Sequence, residues 1–319
     1  IKEGKHLSEA VGSTKLLDSP GVIVDEYNRA PPEITNILQG YLANGTLVFE
    51  GGKEVVPGVK FDEKVYQWKI ATLNEGEKYY GTRSVDKASK NRFGVVINFD
   101  IFEPSEKDRR ALIRHGGSKV IREGDNHLKD ILDIYRDVSK VKLSLEAEEF
   151  MLYFMRMNQC VKSPEKSKLT VNFTPEYCKG CHLLPVDEEI CGNVFAPPER
   201  TIDNWRSLAQ AFAFYRVSRI GGELEVKIED VIAAGSFALY SKLDINPGWV
   251  VKRASGSEWK ATNDIIKLAF QRLKRYITAN RKIFEKILKS EELSIEELNV
   301  LKKYAKEKDA WVMDLRDLE

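Results

Sequence analysis

The chain has 319 residues, 42% of them hydrophobic and 31% charged, with 50 Lys and Arg against 49 Asp and Glu. That length points to two or three units of ordinary globular type, and the near-zero charge argues against a nucleic-acid coat or an acidic tail while leaving room for a local basic patch. The longest apolar run, Val231 to Tyr240, is too short to span a bilayer and no secretory leader pattern opens the chain, so a cytoplasmic protein is expected.

Gly21 to Glu26 is a β-branched run that ends in two acids. Apolar at every position to Val24, it suits a strand buried on both faces, as in a parallel sheet. Asp25 and Glu26 then stand at the carboxyl edge, where α/β proteins place ligands; the plain alternative is a solvated strand-end pair. Pro31-Pro32-Glu33 opens a helix through Ile34, Ile37, Leu38 and Tyr41, with proline tolerated in the first turn. Thr46 to Phe49, between Asn44-Gly45 and Gly51-Gly52, reads as a hairpin or a strand–turn–strand. Trp68 to Leu73 is the next strand, ending at Asn74, and Gly94 to Ile101 is another. Strands separated by helical segments predict an α/β layer.

From Pro104 the pattern turns helical. Ser105 caps a helix with acids in its first turn. His127 to Val138 and Leu145 to Met155 carry apolar stripes, with Ser144 as a cap for the second. Ile202, Trp205, Leu208, Ala209, Phe212 and Ala213 form a strong helical stripe, and Val231 to Leu243 forms another. Asn246-Pro247-Gly248 marks a boundary. Asn263 to Leu288 is a long amphipathic helix, and Ser294 to Glu297 is a capping-box pattern for a last one. Lys267, Arg272, Lys274, Arg275, Arg281 and Lys282 make the long helix basic. A nucleic-acid or acidic-partner face and a merely solvated face both fit, although no aromatics interleave as stacked bases require.

The four cysteines, Cys160, Cys178, Cys181 and Cys191, fall in one polar, proline-rich stretch. Cys178-Lys179-Gly180-Cys181 lets two thiolates reach one tetrahedral Zn²⁺, so a structural Cys₄ zinc clip is expected. His182 could replace Cys160 as a ligand, and disulfides or free thiols are the alternatives.

Val24 to Pro32 resembles the Walker B segment of MoxR-type AAA+ ATPases, which reads D-E-I-N-R-A-P-P. Ala71-Thr72-Leu73-Asn74 resembles their sensor 1 strand, and Lys87 to Phe93 resembles the segment that carries the arginine finger. Pro197 to Thr201 is similar to the start of the lid helix with sensor 2, and Ile228 to Val231 to a turn of the same lid. The resemblance covers roughly residues 1–245. It implies an AAA+ P-loop-type parallel-sheet core, a helical lid and ATP hydrolysis with Mg²⁺. It further implies remodelling of a client protein in a homo-oligomeric ring, with a hexamer as the expected size. Asp25 would hold Mg²⁺ through water, Glu26 would polarise the attacking water, and Asn74 would orient it. Arg92 would reach the γ-phosphate of a neighbouring subunit, with Arg29 and Arg83 as competing fingers, and Arg200 would touch the phosphates from the lid. These roles suit phosphoryl transfer, which needs positioning and neutralised charge.

The expected layout is residues 1–104 as the α/β core, 105–250 as the lid with a Cys-rich insert at about 157–197, and 251–319 as a helical extension. Two departures sit in the motifs: Tyr27 stands where an aliphatic residue is usual, and Glu75 where Pro follows sensor 1. A third matters more. No G-x-x-x-x-G-K-[ST] occurs; Gly4-Lys5 and Gly12-Ser13-Thr14-Lys15 do not supply it. In the family that loop precedes Walker B by several tens of residues, which places it upstream of Ile1. A non-hydrolytic scaffold or partner subunit without its own P-loop, and a DNA-processing motor using the basic helix, are the alternative functions.

Overall fold

The computed structural model describes residues 18–48, 52, 54–74, 85, 87–99, 101–102, 104–115, 127–156, 190, 193–195, 197–279, 282, 286, 291–297 and 299. The chain is mixed α/β and divides into two compact units: Ile1–Phe93 with Ile97–Asp137, and Gly94–Val96 with Val138–Glu319.

In the first unit, β1 (Gly21–Val24) leads through a 3-10 turn (Tyr27–Arg29) into α1 (Pro32–Asn44). Pro31 and Pro32 fix the backbone for the first helical turn, and Gly45 closes α1 in the left-handed region at φ 73°. β2 (Leu47–Val48) and β3 (Glu54–Val55) form the hairpin expected around Thr46–Phe49. β4 (Val59–Phe61) and β5 (Lys64–Tyr66) form a second hairpin, whose turn holds Asp62 at φ 51°. β6 (Trp68–Ala71) then returns parallel to β1, with Gly21 opposite Trp68 and Val24 opposite Ala71. A Cβ at Gly21 would lie 1.8 Å from the Trp68 indole, so this glycine lets the ring lie across the strand. Tyr41 of α1 is buried and gives its hydroxyl to Gln67, whose amide reaches the Ser19 carbonyl at 2.9 Å. Lys69 lies over the Tyr41 ring at 5.0 Å, and burial lowers its pKa.

Two strand expectations need correction. β1 is not buried on both faces: Ile23 is 63% exposed, and its register partner Ile70 is 51% exposed. The sheet they share has two strands among the described residues, so one side carries no covering layer there. Gly94 to Ile101 forms no strand over its described residues, 94–99 and 101. The Gly94 carbonyl is taken by the Lys242 ammonium at 2.7 Å, and Asn98 accepts from the Ile101 amide at 3.1 Å in a turn. A short apolar run lacks the period that would separate a strand from an irregular segment.

α2 (Lys87–Lys90), α3 (Glu106–His115) and α4 (Leu128–Val138) complete the elements of this unit. Ser105 caps α3 as expected: its hydroxyl accepts from the Asp108 amide at 3.2 Å, and the Asp108 carboxylate accepts from the Ser105 amide at 3.2 Å.

The second unit opens with β7 (Lys142–Leu143) and α5 (Leu145–Arg156), capped by Ser144, whose hydroxyl accepts from the Ala147 amide at 3.2 Å. β8 (Val194–Phe195), α6 (Glu199–Ile220), β9 (Glu225–Val226), α7 (Ile228–Ala238), β10 (Asp244–Ile245), α8 (Pro247–Ala254) and α9 (Glu258–Ala279) follow. β7 pairs parallel with β9, and β8 antiparallel with β10. One apolar core joins α5, α6, α7 and α9: Phe150, Phe154, Trp205, Ala209, Val231, Ala234, Ile265 and Ile266 are all at most 1% exposed. Trp205 stacks edge-on to Phe154 at 5.1 Å and donates its indole N–H to the Val231 carbonyl at 2.7 Å, so the ring is satisfied at both ends. Gly235 lets α7 approach: a Cβ there would sit 3.0 Å from the Trp205 ring and 3.2 Å from Ile266.

α9 begins at Glu258 rather than Asn263, and its Ala261, Ile265, Ile266, Ala269 and Leu273 are part of this core. Ser257 starts it, accepting the Lys260 amide at 3.3 Å on its hydroxyl and the Ala261 amide at 2.9 Å on its carbonyl. Asn246, read as a boundary, caps α8 through the Gly248 amide at 2.9 Å. No helix among the described residues is long and apolar enough to cross a membrane.

Candidate functional site

Parallel pairing of β1 and β6 in register sends both chains out of the sheet at the same edge. The ladder continues one step past the strands: the Thr72 amide donates to Val24 O at 3.0 Å, and the Tyr27 amide to Thr72 O at 2.9 Å. Asp25 and Glu26 on one side, and Asn74 on the other, are therefore neighbours by construction. The structure brings these three expected site residues together.

Side chains tighten the join. The Thr72 hydroxyl donates to Asp25 Oδ1 and accepts the Glu26 amide at 2.9 Å. Asn28, 4% exposed, donates Nδ2–H to the Asn74 carbonyl at 2.8 Å, and its Oδ1 accepts the Asn74 amide at 3.4 Å. Glu26 sits in the left-handed region at φ 51°, ψ 44°, a conformation that side-chain-bearing residues rarely take. Its carboxylate pairs with Arg29 at 3.1 Å, with both side chains more than two-fifths exposed. Such a pair is worth little and opens easily. Arg29, a competing finger by sequence, is thus engaged within its own chain.

Arg92 belongs to the same unit and is half-buried just beyond α2. Its amide bonds to the Ser89 carbonyl at 3.1 Å, and Gln39 of α1 donates to the Ser89 hydroxyl at 2.7 Å. Phe93 packs edge-on against Tyr27 at 5.9 Å between ring centres. The tyrosine at the departure position therefore anchors the Arg92 segment to the turn that carries Glu26. Arg200 belongs to the second unit and stands exposed in the first turn of α6. Arg83, Cys160, Cys178, Cys181, His182 and Cys191 lie outside the described residues.

Among the described residues no group of three or more His, Cys, Asp and Glu is placed to hold a metal ion. The exposed Asp25 carboxylate at the sheet edge fits Mg²⁺, which keeps several waters and takes one or two carboxylates plus substrate phosphates. Thr72 and Asn28 lie inside the sequence motifs but were given no role there. Their partners are 46 or 47 residues away, and the local signal is no more than a hydroxyl directly after β6 and a carboxamide two residues after Glu26. Lys242 was also missed: it is a lysine closing an apolar helical run, 2% exposed, with its pKa pushed down to about 8 by burial.

No protein-family model matches the chain. No curated protein matches it. Among solved structures it resembles the crystal structure of a protein from Cytophaga hutchinsonii ATCC 33406 named as a "putative ATPase", with a TM-score of 0.53 and 16% identity. The match covers 79% of this chain and 66% of that one, just under two thirds of that protein's length. At this identity the likeness is one of fold: the chain shares the fold of that protein.

Proposed function

We propose that the chain carries the Walker B half of a MoxR-type AAA+ module, one that hydrolyses ATP to remodel a protein partner within a homo-oligomeric ring. One observation carries this reading: β1 and β6 are parallel and in register, so that Asp25, Glu26 and Asn74 meet at one sheet edge. The fold shared with the Cytophaga hutchinsonii protein supports it.

When bound, Mg²⁺–ATP supplies the phosphorus centre and the cation that neutralises phosphate charge. The chain's residues would do the rest. Asp25 would hold the hydrated cation from the end of β1. Glu26, released from Arg29, would polarise the attacking water, and Asn74 would orient it from the end of β6. Arg92 would reach into the site of an adjacent subunit, where a permanently charged planar guanidinium suits spread phosphate charge. Arg200 would meet the phosphates from the first turn of α6.

The decisive experiment is Glu26→Gln in the full-length protein. Nucleotide binding should persist while Mg²⁺-dependent turnover falls by about 10²-fold or more, because only the water-polarising carboxylate is lost. Turnover within a few-fold of the parent would defeat the proposal.

A further inference from the structure

The two strand ends hold each other reciprocally. From the β6 side, the Thr72 hydroxyl is locked by two bonds to consecutive residues, donating to Asp25 Oδ1 and accepting from the Glu26 amide. From the β1 side, the buried Asn28 carboxamide bonds to both backbone groups of Asn74. Neither arrangement is needed to make the sheet. The β1–β6 ladder runs through backbone groups, and a valine at position 72 would be as good a strand-end residue as threonine. What the hydroxyl adds is a fixed direction for the Asp25 carboxylate. Oδ1 is engaged, and Oδ2 has no hydrogen-bond partner among the described residues. What the carboxamide adds is a fixed backbone at residue 74, from which the Asn74 side chain departs. An amide buried as Asn28 is must be bonded to be tolerated, and residue 74 meets both its donor and its acceptor.

We infer that Thr72 and Asn28 are positioning residues: Thr72 orients Asp25 for its cation, and Asn28 registers Asn74 on the Asp25–Glu26 turn. The inference rests on the hydrolytic reading above, and its test separates the two. A hydrogen-bonded partner of a ligating carboxylate changes metal affinity or activity by about 10–100-fold when removed.

Thr72→Val deletes the hydroxyl at constant shape, Thr72→Ser keeps it, and Asn28→Leu deletes both carboxamide bonds. Amide hydrogen exchange on the full-length protein, without nucleotide, reads the contact directly. Protection of the Glu26 amide should fall about tenfold or more in Thr72→Val and survive in Thr72→Ser, and Asn28→Leu should do the same at the Asn74 amide. Steady-state kinetics reads the role. Thr72→Val and Asn28→Leu should lower kcat by about 10–100-fold with KM for ATP changed little, and Thr72→Ser should stay near the parent. Unchanged protection in Thr72→Val would show that the hydroxyl does not hold the turn and would overturn the inference. Lost protection with kcat unchanged would overturn the positioning role alone. A parent protein that never turns over Mg²⁺–ATP would remove the hydrolytic reading and the role with it, while the exchange data would still report whether the two ends are joined.

Discussion

Lys242, a residue only 2% exposed, has given up much of the hydration of its ammonium, and among the described residues the Gly94 carbonyl is set against the loss. Burial therefore pushes its pKa from the ordinary 10.5 to about 8. Between those values the unfolded chain binds more protons than the folded one, so stability rises with pH across that window. Below pH 8 the full cost of burying the charge is present; above 10.5 it is gone. The difference of the two values corresponds to about 3 kcal/mol. The neutral amine can still donate to Gly94, so the bond itself survives the titration. Lys242→Met should flatten this rise relative to the parent in urea unfolding curves taken from pH 7 upward. Parallel curves for the two proteins would mean that Lys242 titrates like an exposed lysine.

At the scale of elements, α6 is clipped twice to the first turn of α7. Trp205 reaches the Val231 carbonyl, and Arg216, eleven residues further along α6, grips Asp230 at 2.8 and 2.9 Å while also reaching the Glu225 carbonyl. Asp230 further accepts the Lys227 amide at 2.9 Å, satisfying a free donor at the start of α7. Asp230→Ala should destabilise the fold by roughly 2–3 kcal/mol, less than for a fully buried pair because Arg216 keeps some access to water. A shift in the unfolding midpoint worth under about 0.5 kcal/mol would show the clip to be ornamental.

Which elements were legible follows from where their information lies. The caps at Ser105 and Ser144 are encoded within four residues, and the structure keeps both. The strands at Gly21 and Trp68 are apolar runs closed by polar residues, and both are present. The strand expected at Gly94 is absent over its described residues, where the Gly94 carbonyl goes to a lysine 148 residues away and the Asn98 carbonyl closes a turn. Paired strands of two residues, such as Lys142–Leu143 with Glu225–Val226, are too short for any period to register. The site divides the same way. Asp25, Glu26 and Asn74 are readable as strand-end polar residues, whereas the bonds of Thr72 and Asn28 exist only once the two strands lie side by side.

For the molecule as a whole, Arg92 is the residue whose proposed role depends on assembly. If it serves a neighbour, two defective proteins should repair each other. Arg92→Ala keeps a sound Asp25–Glu26 turn but lends no guanidinium, and Glu26→Gln does the reverse. Mixed and allowed to exchange subunits, they should recover a substantial fraction of parental turnover, although each alone is inactive. A mixture as inactive as its components would place Arg92's action within its own subunit. Arg92 also lies two residues before Gly94, where the chain leaves the first unit, enters the second for three residues and returns before leaving again after Asp137. The second unit is therefore not a contiguous stretch of polypeptide. A fragment starting at Val138 leaves behind the Gly94 carbonyl that accepts the Lys242 hydrogen bond. Shuffling such modules between relatives, or appending one to another protein, has to carry residues 94–96 along, because the two units are interleaved along the chain.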